Sequence, residues 1–309
     1  MKVYSNIEEF EPRENLVATV GTFDGVHLGH SYILNCLKAE SEKINGESVL
    51  LTFYPHPRMV LFPENNDLKM LNTQEEKIEL LDRSDLDHLI IHPFSREFSR
   101  LNSVEFVRDV LVNQIGISKL IIGYDHHFGR NREGTFEDLL ELANLYDFEV
   151  EQIEAQEFKD TQVSSTKIRT AIEEGDMKTA RHFLGYPFMI SGNVVRGAGI
   201  GRTLGFKTAN IGIKDRFKII PDNGVYAVLV NIKGTSYKGM LNIGVRPSIK
   251  DAGGRSIEVH IFEMDEDLYG LEISVSLLEK IREEKKFENI DLLKQQLEFD
   301  KAKCEAILS

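Results

Sequence analysis

The fold of the first half of the chain is decided by LVATVGTFDGVHLGH, residues 16–30. The stretch begins with a short, largely apolar run that ends at a glycine, and apolar residues at helical spacing follow from 31 to about 44. This order predicts a strand, a glycine-rich turn and a helix. Further apolar runs at 49–53, 89–91 and 120–122 are each followed by a turn or an amphipathic segment. Strands alternating with helices predict a parallel sheet covered on both faces.

From about residue 192 the pattern changes to strands separated by Gly, Asn and Asp turns. Such a pattern predicts an antiparallel barrel or sandwich with one terminal helix. A helical run ends at Gly185 and Pro187, which places the domains at residues 1–185 and 186–309. The predicted elements are strands at 194–195, 224–232, 237–243, 256–262 and 271–278, and a helix at 290–308.

The charge of the chain argues against nucleic acid as its main partner. The 309 residues carry a net charge of −13. Residues 1–190 hold 19 basic and 33 acidic groups, a net of −14, and residues 191–309 hold 18 and 17, a net of +1. Nucleic-acid binders need a basic face. We interpret the acidic run 149–160 as a solvated surface.

The cysteines and the apolar runs indicate a reduced, cytoplasmic protein without a membrane anchor. Cys36 and Cys304 are far apart and have no metal-ligand spacing. The sequence has neither a signal peptide at its start nor an apolar run of about 18–20 residues, the length a membrane span needs.

The turn after the first long strand has the composition of a phosphate site. Glycines at 21, 25 and 29 let the backbone approach an anion, and the following helix presents free N–H groups to it. His27 and His30 lie one helical turn apart and can donate to the same phosphate oxygens. The alternative is a glycine-rich turn with structural histidines.

A second cluster of hydroxyls and cations is SSTKIR, residues 164–169, beside a predicted helix start. It suits a phosphate clamp, although Ser-Ser-Thr is also an ordinary helix N-cap. Together the two clusters resemble the class I nucleotidyltransferase superfamily, with its His-x-Gly-His and Ser/Thr-x-x-Arg signatures.

Two further stretches, TFYPHP at 52–57 and GYDHHFG at 123–129, resemble the adenylyltransferase module of bacterial bifunctional riboflavin kinase/FAD synthetases. That family usually has Phe-Arg after the Asp, so His126-His127 is a departure, and Pro-His-Pro is alternatively a rigid turn. The resemblance implies a Rossmann-like fold and the reaction of FMN with ATP to give FAD and pyrophosphate, with Mg²⁺. It implies that His27 and His30 are catalytic. It assigns ATP binding to Gly21, Phe23, Asp24, Gly25, Ser164, Ser165, Thr166 and Arg169, and flavin binding to His56, Asp125 and His126.

The second half contains a basic, glycine-rich segment and an alternating strand. Residues 193–218 hold six basic residues and one acidic residue, a local charge of +5 that suits triphosphate binding. Glu258 and His260 share one face of a predicted strand, where a carboxylate could act as a general base. The alternatives are a surface hairpin and a solvated strand residue.

These features resemble the riboflavin kinase domain, with Gly-Arg-x-x-Gly-x-Pro-Thr-Ala-Asn, Asn-Ile-Gly-x-x-Pro, Glu-x-His and Asp-x-Tyr-Gly in order. The resemblance implies a barrel in which Thr208 and Asn210 contact Mg²⁺ and Glu258 accepts a proton from riboflavin. Lys207 stands where the family usually has proline, which makes the loop less preorganised but adds a cation beside the phosphates. The implied ATP site comprises Gly197, Gly201, Arg202, Gly205, Lys207, Thr208 and Asn210, and the flavin site is bordered by Arg282 and Phe287.

Three other functions remain open from the sequence. The chain could be a nucleotidyltransferase for another acceptor, such as pantetheine phosphate or nicotinamide mononucleotide, or a relative of aminoacyl-tRNA synthetases. It could also be a flavin-binding protein whose kinase half has lost catalysis through Lys207. We expect riboflavin, FMN, FAD and ATP as its small-molecule ligands, and the sequence does not predict an oligomeric state.

Overall fold

The computed structural model describes residues 1–65, 67–124, 127–153, 163–197, 205–245 and 255–309. The chain divides into two compact units. We call Met1–Leu68 with Lys77–Val163 the sheet unit, and Lys69–Glu76 with Ser164–Ser309 the barrel unit.

The sheet unit is built on a six-stranded parallel sheet with the order β1-β4-β3-β2-β5-β6, as the alternating pattern predicts. All five residues of its central strand β2 are buried, because a parallel sheet is covered on both faces. The strands are β1 (Lys2–Tyr4), β2 (Leu16–Val20), β3 (Ser48–Tyr54), β4 (His88–Pro93), β5 (Ile117–Gly123) and β6 (Glu149–Ile153).

Helices follow the strands, as expected for crossover connections. They are α1 (Leu28–Lys43), α2 (Pro57–Leu61), α3 (Gln74–Asp82), α4 (Ser103–Glu105), which continues as a π-helix over Phe106–Ile115, and α5 (Phe136–Tyr146). Short 3₁₀ turns cover Ile7–Glu9, Pro63–Asn65, Phe98–Arg100 and Arg130–Arg132.

The barrel unit is a closed antiparallel barrel with the order β10-β11-β8-β7-β12-β9, so of the two predicted architectures the barrel is the observed one. Its strands are β7 (Phe188–Val195), β8 (Ala209–Gly212), β9 (Gly224–Ile232), β10 (Thr235–Val245), β11 (Arg255–Ile261) and β12 (Glu272–Arg282). Its helices are α6 (Ser165–Glu173), α7 (Met177–Leu184) and the terminal helix α8 (Ile290–Ile307).

Three strands differ from the sequence expectation. The sequence did not indicate β1, β6 or β8, which are only three to five residues long. The acidic run predicted as a solvated surface begins with β6, which pairs with β5 and buries Ile153. The remainder of that run, residues 154–160, lies outside the described residues.

The compact units do not divide at residue 185. Helices α6 and α7 belong to the barrel unit, which begins at Ser164, and so does the separate segment Lys69–Glu76. The boundary at 185 between two functional domains therefore stays a prediction, and the packing boundary lies about one helical hairpin earlier.

Segment 69–76 is held to the barrel unit by a buried ion pair. Lys218 Nζ lies 2.5 Å from Glu76 Oε2 and also donates to the Leu71 carbonyl at 2.7 Å. Both charged side chains are at most 1% exposed, and Ser191 N donates to the other carboxylate oxygen of Glu76. Lys218 belongs to the basic segment 193–218, so part of the positive charge of that segment is structural.

Candidate functional site

The predicted phosphate turn lies between β2 and α1, at the carboxyl edge of the sheet, where ligands of open α/β sheets bind. Its backbone is left-handed at Phe23 (φ +47°), Gly25 (φ +89°) and Val26 (φ +35°). Glycine adopts this conformation readily, but for other residues it costs about 1–3 kcal/mol each and is concentrated at functional sites. The strained turn therefore coincides with the motif that the sequence singles out.

His27 and His30 form a stacked pair at the start of α1. Their ring centroids are 3.7 Å apart, and the Phe23 ring stacks on His30 at 4.5 Å. His27 is the N-cap of α1, where its Nδ1 accepts a hydrogen bond from His30 N at 3.4 Å. As the acceptor in this bond, Nδ1 of His27 carries no proton, so an N–H of this ring lies on Nε2.

Burial keeps His30 neutral. The pKa of His30 lies well below its usual value, because burial and then the neighbouring His27 and Lys77 disfavour the imidazolium. Its Nδ1 is buried and has no hydrogen-bond partner among the described residues. An unsatisfied buried polar atom is costly, which fits a site completed by a ligand.

Lys77 is a member of this site that the sequence did not reveal. It lies on α3 with its side chain buried, and its Nζ donates to Thr22 O at 3.3 Å and to Thr52 Oγ1 at 3.4 Å. Burial lowers the pKa of Lys77 to about 8, and Asp24 partly offsets that effect. One sequence feature could have indicated that Lys77 is buried: it lies three and four residues before Leu80 and Leu81, on the same face of a helix, and both leucines are buried.

His56, predicted to contact flavin, is the N-cap of α2. Its Nδ1 accepts from Arg58 N at 3.2 Å, so the ring shapes the turn after β3. Asp125 and His126, which are also predicted to bind flavin, lie outside the described residues.

The SSTKIR cluster forms the start of α6 in the barrel unit. Ser164 is the N-cap and accepts from Lys167 N at 3.3 Å, as the ordinary N-cap interpretation requires. Ser165 and Thr166 occupy the first turn of the helix. Arg169 donates from Nε to the Lys69 carbonyl at 2.7 Å, so segment 69–76 positions its guanidinium.

Strand pairing brings together the kinase-like residues of the barrel. Asn210 of β8 lies opposite Glu258 of β11, and Thr208 Oγ1 donates to Glu258 Oε2 at 3.5 Å. Glu258 and His260 are half-buried on one face of β11, while Ile257 and Val259 are buried on the other, which confirms the predicted alternation.

Two glycines shape the surroundings of Asn210 and Thr208. A Cβ atom on Gly197 would lie 2.0 Å from Asn210 Nδ2, so only glycine leaves room for this amide. Gly205 has a φ of +80°, which favours glycine for conformational reasons. Gly201 and Arg202 lie outside the described residues.

Two predicted ligand-binding cations are engaged by protein oxygens. Lys207 was expected to add a cation beside the phosphates, but its Nζ contacts the carbonyls of Asp265 at 2.6 Å and Glu266 at 2.9 Å. Arg282 forms a bidentate pair with the buried Asp300, and its guanidinium lies 5.9 Å from the ring of Phe287. Both are thus held in place by other parts of the barrel unit.

The oxygen donors near Glu258 suit a hard divalent cation. Thr208, Asn210 and Glu258 offer a hydroxyl, an amide carbonyl and a carboxylate, the ligand types that Mg²⁺ prefers. Among the described residues no group of three or more His, Cys, Asp or Glu could hold a metal.

Two family models match successive parts of the chain. The FAD synthetase family matches residues 9–167, and the riboflavin kinase family matches residues 184–308. The first match contains the Gly21–His30 turn and Ser164 to Thr166, and the second contains Thr208, Asn210 and Glu258.

Curated relatives match almost the whole chain. A bifunctional riboflavin kinase/FMN adenylyltransferase of Listeria monocytogenes is 35% identical over 295 residues, covering 96% of this chain and 93% of its own length. The protein of the same description from Pseudomonas fluorescens is 34% identical over 308 residues, covering 99% and 98%.

A solved crystal structure also matches. It is described as a macrolide-efflux protein from Streptococcus pneumoniae, is 31% identical, and superposes with a TM-score of 0.88 over 97% of each chain. In the part of the present chain that the structure describes, none of the helices combines the length and apolar character needed to cross a bilayer.

Proposed function

The chain belongs to the family of bifunctional riboflavin kinase/FMN adenylyltransferases, and we propose that it uses the two residue sets described above as two separate active sites. It phosphorylates riboflavin to FMN with ATP and adenylylates FMN to FAD with release of pyrophosphate. The observation that carries the two-site proposal is that His27 and His30 lie in the sheet unit, whereas Thr208, Asn210 and Glu258 lie in the barrel unit.

In adenylyl transfer, an oxygen of the FMN phosphate attacks the α-phosphorus of ATP in line, and the bond to pyrophosphate breaks. Such transfers depend on positioning and charge stabilisation. The imidazole of His27 and the neutral imidazole of His30 donate N–H groups to phosphate oxygens, and the N-terminus of α1 adds its partial positive charge. Phe23, Asp24 and the glycines fix the turn. That Ser164, Ser165, Thr166 and Arg169 bind the departing phosphates stays a prediction from the family resemblance, and the FAD synthetase match includes the first three.

In riboflavin phosphorylation, the 5′-hydroxyl attacks the γ-phosphorus of ATP. Glu258 takes the hydroxyl proton as general base. Thr208 and Asn210 would hold Mg²⁺, which would supply neutralisation of phosphate charge when bound. The half-buried position of Glu258 beside Thr208 supports this role.

Incubation with riboflavin and Mg-ATP, followed by chromatographic separation of riboflavin, FMN and FAD, tests both activities. Glu258→Ala should lower FMN formation by about 100-fold or more, the usual contribution of a general base, and leave conversion of supplied FMN to FAD intact. His30→Ala should do the reverse. Glu272→Ala serves as the carboxylate control, because Glu272 is exposed at the start of β12.

If either variant loses both activities while staying folded, the two-site proposal is wrong. Flavin binding without any turnover by the wild-type chain would instead support a flavin-binding protein. The cytoplasmic location and the absence of nucleic-acid binding stay predictions from the sequence.

A further inference from the structure

We infer that Lys207 is a positioning residue of the kinase site, whose ammonium group fastens the segment carrying Thr208 to the loop after β11. The inference rests on the proposed kinase function. Lys207 Nζ lies 2.6 Å from Asp265 O, 2.9 Å from Glu266 O and 3.3 Å from Asp265 Oδ1. Three acceptors match the three donors of an ammonium group, which leaves no hydrogen bond for a phosphate.

The carbonyl oxygens carry most of this interaction. The carboxylate of Asp265 is fully exposed, and an ion pair with such a group contributes little. Lys207 itself is only 33% exposed, so its charge is partly removed from water and depends on the two carbonyls. The contact therefore fixes the main chain at Asp265 and Glu266 rather than pairing two surface charges.

The main chain around Lys207 is held from two other directions. His260 Nδ1 donates to the Lys207 carbonyl at 2.8 Å, since a carbonyl can only accept. The preceding Phe206 is buried in a cluster that includes Cys304 and Leu308 near the end of the chain. The next residue, Thr208, is thus placed by a segment anchored to β11, to the loop after it and to the C-terminal helix region.

This anchoring explains how lysine can stand where the family resemblance predicts proline. Proline restricts the segment through its fixed φ, whereas Lys207 restricts it through side-chain contacts with Asp265 and Glu266. Both residues reduce the freedom of the chain before Thr208. On this basis Lys207 preserves the geometry of the Mg-ATP site and does not indicate an inactive kinase.

The test measures FMN formation by the full-length chain at varied Mg-ATP for the wild type, Lys207→Met, Lys207→Pro and Asp265→Ala. Lys207→Met, which keeps the apolar stem, should lower kcat/KM for Mg-ATP about tenfold, mainly through KM, the effect of losing charge-assisted hydrogen bonds. Lys207→Pro should recover activity to within about threefold of the wild type, because it restores a restricted backbone. Asp265→Ala should change kcat/KM by no more than about twofold, because the carbonyls remain.

Conversion of supplied FMN to FAD is the control in every variant and should stay at the wild-type rate. Recovery by Lys207→Pro supports a positioning role. If Lys207→Pro is as impaired as Lys207→Met, a restricted backbone does not replace the ammonium contacts and the inference is overturned. An unchanged Lys207→Met, or one that loses FAD formation equally, also overturns it. If the wild-type chain forms no FMN, the proposed kinase function itself is refuted, and with it the inference about Lys207.

Discussion

The two candidate sites are built from different local structures. In the sheet unit, His27 and Lys77 are buried around a turn with a left-handed backbone, and His30 is stacked between two rings. In the barrel unit, Thr208 and Glu258 are half-buried and meet through a side-chain hydrogen bond next to the pairing of β8 with β11. Burial changes the protonation of His30 and Lys77, whereas the geometry of the barrel site depends on the contacts that hold the neighbouring backbone. Substitutions should therefore act through charge at the first site and through position at the second.

Breaking the buried ion pair of the barrel unit should give the largest effect. Glu76→Ala leaves Lys218 buried without its carboxylate, which should lower the free energy of unfolding by about 3–5 kcal/mol. Urea unfolding followed by circular dichroism measures it. The double variant Glu76→Leu/Lys218→Met should recover most of the loss, because it removes both charges.

The matched control is Glu279→Ala, whose partner Lys178 is exposed. Its loss should cost no more than about 1 kcal/mol. Equal costs for Glu76→Ala and Glu279→Ala would show that burial of the pair does not set its contribution. The buried ion pair would then contribute no more to stability than an exposed one.

Removing the buried cation of the sheet unit should act on catalysis. Lys77→Met keeps the volume but removes the ammonium that bridges Thr22 O and Thr52 Oγ1, so FAD formation from FMN should fall by about 10- to 100-fold. FMN formation from riboflavin should not change. Steady-state rates of both reactions measure the effect.

Lys38→Met is the control for a lysine of the same unit whose ammonium pairs with Asp87. It should leave FAD formation within about twofold of the wild type, as expected for a partly exposed ion pair. If Lys77→Met and Lys38→Met reduce FAD formation equally, the ammonium of Lys77 makes no specific contribution to the adenylyltransferase reaction.

The sequence predicted the parts of both sites that depend on neighbouring residues. The strand before Gly21, the helix after it and the faces of β11 follow from periodicity over a few residues. Lys77 was missed because it meets Thr22 across 55 residues of chain. The packing of Lys69–Glu76 on the barrel unit was missed for the same reason, since Glu76 and Lys218 are 142 residues apart. Such contacts are decided by tertiary packing, which local patterns do not encode.

Gly197→Ala tests whether the barrel site depends on the position of Asn210, because the substitution changes no charge. The new Cβ would lie 2.0 Å from Asn210 Nδ2 and must displace that amide, so FMN formation should fall about tenfold. Kinetics at varied Mg-ATP measure this, and FAD formation should not change.

Gly234→Ala separates steric displacement from backbone strain. Gly234 has a φ of +84° and no atom within 4 Å of a new Cβ, so the substitution is strained but displaces nothing. It should lower stability by about 1 kcal/mol without loss of FMN formation. Loss of FMN formation in this variant as well would contradict the steric explanation for Gly197.

Raising the pH should give the smallest of these effects, a moderate loss of FAD formation that FMN formation does not share. The pKa of Lys77 is lowered from 10.5 to about 8, so its ammonium is present below pH 8 and is lost above it. At pH 8.5 FAD formation should be about fourfold below its plateau, as follows from the protonated fraction of a group with this pKa. FMN formation in the same preparation serves as the reference reaction, and Lys77→Met should lack this pH dependence.

Destabilisation through Lys77 cannot account for that decline, because the effect of Lys77 on stability has the opposite sign. Between pH 8 and 10.5 the unfolded chain keeps the Lys77 proton that the folded chain has lost. The unfolded state then binds more protons, so the contribution of Lys77 to the free energy of unfolding rises with pH. A fall in FAD formation with rising pH, at constant or increasing stability, therefore reports the charge of Lys77 at the site. A decline of the same size in Lys77→Met would assign it to another group.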